Sequence, residues 1–130
     1  MKIVNEYPPV YERICEVIGK PPENALYAYG DTIYNPSGLT IPEDVIAHEE
    51  IHELQQGGDP VDWWNKYLAD PEFRLDQELE AYRHQYKFIQ NKTKDRELLN
   101  FYLRHFAKAL SGPMYGNLMG FEEAITKIKQ

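Results

Sequence analysis

Apolar residues recur at helical spacing along most of this chain, and the breaks between runs fall on Gly, Pro, Asp and Asn. Residues 10–18 predict a short helix, stopped by Gly19, Pro21 and Pro22. Residues 25–29 and 32–34 are aromatic or β-branched around Gly30-Asp31, the pattern of a short β-hairpin, and Asn35-Pro36-Ser37-Gly38 makes a turn after it. The spacing then predicts a helix over 41–56. Thr40 and Glu43 stand in the relation of a capping box, Pro42 sits in the first turn, and Gly57-Gly58 ends the run. Val45, Ile46, Ile51 and Leu54 supply its apolar contacts. Asp59-Pro60 opens a short helix running through Leu68, in which Trp63 and Trp64 read as core residues. Asp70-Pro71 opens a longer helix to about residue 91, with Leu75, Leu79, Tyr82, Tyr86 and Ile89 as its inward stripe. Residues 93–110 form another amphipathic helix with Leu98, Leu99, Tyr102, Leu103, Phe106 and Leu110 inward, and His105 near that stripe reads as a structural histidine. Residues 121–128 close the chain as a last short helix. These elements imply an α+β, helix-dominated fold with a short β-hairpin or edge strand ahead of the 41–56 helix. The 130 residues suffice for one core and not for a pair, so residues 1–130 are expected to form a single domain.

Composition narrows the function classes. A net charge of −7 argues against nucleic acid and anionic membrane surfaces as partners. No apolar run approaches membrane-spanning length, and the first residues lack a signal-peptide core, so a cytoplasmic protein is the expectation. Cys15 is the only cysteine, which excludes an internal disulfide and a thiolate metal cluster and leaves Cys15 as a small core residue.

The chemistry-bearing stretch is His48-Glu49-Glu50-Ile51-His52, an H-E-x-x-H match on the 41–56 helix. Four residues are slightly more than one helical turn, so both imidazoles project from one face and can grip a single metal ion. Two neutral imidazoles suit Zn²⁺, and Glu49, next round the helix, can act as general base on a water at that metal without ligating it. A catalytic zinc needs a third protein ligand. Glu78 falls inside the apolar stripe of the 71–91 helix, where a lone carboxylate is costly unless something neutralises it. Glu80 shares the wet face with Arg83, His84 and Lys87 and ranks second, with His84 after it. In the loop at 111–117, Tyr115 is a candidate donor to the developing oxyanion, set against plain packing beneath the loop.

His48-Glu49-x-x-His52 followed by a helix bearing Glu78-x-x-Ala81 resembles the gluzincin branch of the zincin metallopeptidases. Gln55-Gln56 and Glu78-Leu79-Glu80-Ala81 are similar to small bacterial and phage-encoded zincin-like domains. The resemblance, over residues 33–86, implies one zinc per chain held by His48, His52 and Glu78, with Glu49 activating water for peptide-bond hydrolysis. It also implies a strand ahead of the motif helix that forms the cleft edge for an extended peptide. Several gluzincins carry Asp four positions after the ligand glutamate to orient a histidine; Tyr82 stands there in this chain. The expected partner is a peptide or protein substrate, acted on by a monomer. A zinc-binding interaction module without peptidase activity is the alternative, and a purely helical interaction protein would bind no metal. From unperturbed histidines, metal retention is expected to be lost as pH falls through roughly 6 to 5.

Overall fold

The computed structural model describes all 130 residues. Strand β1 (Lys2–Val4) is followed by α1 (Tyr11–Val17), the hairpin of β2 (Tyr27–Tyr29) and β3 (Thr32–Tyr34), and five helices. These are α2 (Glu43–Gln56), α3 (Pro60–Ala69), α4 (Pro71–Lys92), α5 (Arg96–Leu110) and α6 (Phe121–Lys129), with a single 3₁₀ turn at Pro113–Tyr115. The fold class is thus α+β and helix-dominated, as the periodicity implied. No helix is long and apolar enough to cross a membrane.

Local signals account for most boundaries. Asp59 caps α3 by accepting from the Asp62 amide, and Asp70 caps α4 by accepting from the Glu72 amide, each with Pro at the first helical position. Gly57 ends α2 in the left-handed region at φ 56°. Two expected starts move. The capping box of Thr40 and Glu43 does not form: α2 begins at Glu43 with Pro42 extended as its N-cap and no side-chain cap. The proline ring disfavours helical geometry at Ile41, which leaves Thr40 outside the reach of the first turn. α5 begins at Arg96 instead of 93, because Asp95 captures the amides of Glu97 and Leu98.

The sheet order is β1-β3-β2, with β1 parallel and β2 antiparallel to β3. β1 was not foreseen: three residues carry no readable alternation, and their partner lies some thirty residues away in sequence. The strand directly ahead of α2 is therefore central and paired on both sides, and the free edge facing α2 belongs to β2.

Two apolar clusters form the interior. The larger joins α4, α5 and α6 through Leu79, Tyr86, Phe106, Leu110, Met119 and Ile128. The smaller joins α1, β2 and α3 through Ile14, Tyr27, Trp63, Trp64, Tyr67 and Leu68. Leu98 and Leu54, both expected inward, are 40% and 74% exposed. Leu98 lies one residue round the helix from half-buried Leu99, and Leu54 points away because the inward face of α2 is taken by Ala47, His48, Glu49, His52 and Gln56. Cys15 is half-buried on α1. Of the eight buried polar or charged residues, seven lie on α2 or α4, namely His48, Glu49, His52, Gln56, Arg74, Glu78 and Gln85. Such a seam costs stability unless every group finds a partner. No side-chain N or O fully shielded from solvent lacks one.

Candidate metal centre

α2 presents His48 and His52 on its inward face, their ring centroids 4.9 Å apart, and α4 brings Glu78 against both. Glu78 Oε1 lies 3.0 Å from His48 Nε2 and 2.9 Å from His52 Nε2. All three side chains are buried, and their ligating atoms fall within 4.8 Å of one another. A tetrahedral zinc with bonds of about 2.0–2.1 Å holds its ligand atoms about 3.3 Å apart. Glu78 Oε1 would need to move only a few tenths of an ångström from each imidazole nitrogen to reach that spacing. This group could bind a metal ion, and the sequence signals for His48, His52 and Glu78 meet at one point.

The far sides of the rings decide which nitrogens are offered. His48 Nδ1 lies 2.9 Å from Gln85 Oε1, while Gln85 Nε2 donates to Asp44 Oδ2 at 2.8 Å. His52 Nδ1 lies 2.8 Å from Gln55 Oε1, while Gln55 Nε2 donates to the Gln77 carbonyl and to Glu80 Oε1, both at 2.9 Å. Carboxylates and carbonyls only accept, so they fix each amide with its oxygen toward the ring. Each Nδ1 must then carry a hydrogen, and each Nε2 turns its lone pair toward the same carboxylate oxygen. Two lone pairs facing an anion demand protons or a cation between them. The donor set therefore fits a divalent ion on its own chemistry.

The carboxylate is held from behind. Tyr67 donates to Glu78 Oε2 at 2.6 Å, and the Arg74 guanidinium ties the Tyr67, Leu68 and Met114 carbonyls together at 2.7, 3.1 and 3.1 Å. Burial alone would push the Glu78 carboxyl up and the His52 imidazole down. Their mutual attraction and the hydrogen bonds of both histidines outweigh it, so Glu78 is held well below the usual carboxylate range and His52 rises to about 9. The two shifts describe one interaction. A base whose folded pKa is raised stabilises below its unfolded value and loses that stabilisation as pH climbs through the folded one. The metal-free fold should therefore weaken between about pH 6.5 and 9. Metal uptake near pH 7.5 should expel about one proton from His52, and apparent affinity should fall about tenfold per pH unit below about 9. Titration calorimetry in buffers of differing ionisation enthalpy checks this, and zero proton release would refute it. The expectation of loss between pH 6 and 5 used unperturbed histidines, and the charge of Glu78 beside His52 raises that range.

Glu49 is buried beside the ligands but takes part in none of the hydrogen bonds of the site. Burial raises its pKa, helped by the Glu78 charge and opposed by His52 and His48. It borders two cavities of about 390 and 430 Å³, which meet at His48, Glu49 and Leu26. Among the other candidates, Glu80 is exposed and supports His52 through Gln55; His84 is exposed on α4; His105 is exposed and stacks on Phe101. Tyr115 is buried in the larger core and lines neither cavity. Tyr27 and Tyr67 line the first cavity, and Tyr82 lines the second, packed edge-on against His48 at 4.6 Å. The orienting role considered for Tyr82 falls to Gln85. Its signal was available: Gln85 is two turns beyond Glu78 on the same face of α4.

Comparison with protein-family models, curated proteins and solved structures finds no match to this chain.

Proposed function

We propose that this protein is a zinc-dependent peptidase of gluzincin type. The observation that carries the reading is a free, buried carboxylate, Glu49, beside three convergent ligands at the junction of two cavities. His48, His52 and Glu78 would hold the ion through Nε2, Nε2 and a carboxylate oxygen. Zinc supplies Lewis acidity there, polarising a carbonyl and acidifying water. Glu49 takes the proton of the attacking water and passes it to the leaving amine. Gln55 and Gln85 keep both imidazoles in the ligating tautomer, and Tyr67 and Arg74 hold Glu78 against them. Tyr67 already donates to Glu78, so Tyr82, kept protonated by burial, is a phenol beside His48 that can donate to a developing oxyanion. A binding module with a structural zinc has no use for a base beside the metal, and its site is ordinarily closed by a fourth protein ligand.

The test is metal content followed by cleavage. Purified protein should carry about one zinc per chain and hydrolyse members of a mixed peptide library in a chelator-sensitive way. Full zinc occupancy with no cleavage would transfer the protein to the binding-module class.

A further inference from the structure

The two cavities at Glu49 differ in kind. The first is walled by Ile14 of α1 and Ile18 just after it, by Ala25 and Tyr27, by Trp64 of α3 and by Met114, and its inner end is His48, Glu49, His52 and Glu78. Its only other charged wall residue, Lys20, is exposed. The second is mixed, with Asn24, Asn35, Ser37 and Gln85 set among Leu39, Ile41, Val45 and Phe106. Its volume of about 390 Å³ places the apolar cavity within the ordinary range of ligand pockets, roughly 300–1,000 Å³.

The neighbouring sheet edge leaves little else to recognise a peptide. The Ala28 carbonyl of β2 accepts from Gln56 Nε2 at 2.8 Å and from Trp64 Nε1 at 3.0 Å. The Gly30 amide donates to Gln56 Oε1 at 2.7 Å. Gln56 thus staples β2 to α2, and the edge that would pair with an extended peptide is consumed at Ala28. By the alternation of a strand, the backbone of Leu26 faces the same way, and Leu26 borders both cavities. Backbone pairing is confined to that residue, so selection falls to side-chain burial.

Resting on the peptidase reading, we infer that the α1–α3 cavity is the specificity pocket. It takes a large apolar side chain, leucine-like or aromatic, from the residue on one side of the scissile bond, while the mixed cavity takes the other flank. Trp64 and Ile14 are its discriminating walls; burial of a charged side chain among them has no partner to neutralise it.

The experiment compares three zinc-directed hydroxamates on the zinc-loaded protein by calorimetry: acetohydroxamate, 4-methylpentanohydroxamate and 3-phenylpropanohydroxamate. The two larger compounds should bind roughly ten- to a hundredfold more tightly, the increment for burying one such side chain. Ala25→Phe, which fills the pocket from its wall, should erase that increment while leaving acetohydroxamate affinity within about twofold. Ile18→Trp, at the C-terminal end of α1, provides the same test if the first variant folds poorly. Equal affinity of all three compounds, or an increment that survives both fillings, overturns the pocket and leaves the peptidase reading standing. Absence of binding by any hydroxamate to zinc-loaded protein overturns the open metal site, and the pocket with it.

Discussion

Replacing Glu49 with Gln should lower turnover by about a hundredfold to ten-thousandfold while zinc content stays at one per chain. The two side chains have nearly the same volume, and Glu49 is not among the converging ligands, so neither packing nor metal binding has reason to change. What disappears is the acceptor for the proton of the attacking water. Stability separates this outcome from misfolding. A buried acid with a raised pKa opposes folding at pH values where it is ionised, so in chelated protein at pH 7 the neutral amide should melt no lower than the carboxylate. Peptide-cleavage rates, zinc analysis and thermal melts on the same preparations provide the check. Undiminished turnover in Glu49→Gln would remove the general-base assignment. A melting temperature several degrees lower would instead mark Glu49 as a structural partner.

The second large effect is on the metal itself. Glu78→Ala should abolish stoichiometric zinc, as should His48→Ala or His52→Ala, since each leaves only two ligands in a site that needs three. Glu80→Ala should retain the ion with a smaller loss. Its carboxylate only anchors the Gln55 amide that orients His52, and such supports are worth roughly ten- to a hundredfold in affinity. Gln85→Ala should cost a similar factor through His48. Competition with a chelator of known affinity ranks the variants. Equal zinc loss from Glu78→Ala and Glu80→Ala would overturn the helix phase that turns Glu78 inward.

How these residues came to be legible follows from the range of the forces involved. H-E-x-x-H at helical spacing, the Asp-Pro starts of α3 and α4, and the placement of Glu78 within an apolar stripe are local signals. A helix converts sequence spacing directly into a shared face. They were enough to foresee a helix-dominated α+β chain and a His48, His52, Glu78 triad on two adjoining helices. Where α2 begins was misread because Pro42 acts on its neighbour's backbone more strongly than Thr40 can act as a cap.

The tertiary structure decided the rest, because the remaining contacts join residues remote in sequence. β1 pairs across some thirty residues and makes β3 a central strand. Gln85 reaches His48 and then Asp44 across the α2–α4 seam, and Gln56 staples β2 to α2. Tyr115 lies among the core residues of the α4, α5 and α6 cluster, a position that no loop composition encodes. Charge behaves likewise: histidine identity says only that His52 titrates, whereas the buried carboxylate of Glu78 beside it moves that titration to about 9. Sequence alone thus placed His48 and His52 on one face of α2, with Glu49 next to them, and Glu78 within the apolar stripe of α4. Only packing determined what those faces meet, since partner identity, burial and electrostatic environment depend on helices and strands brought together from across the chain.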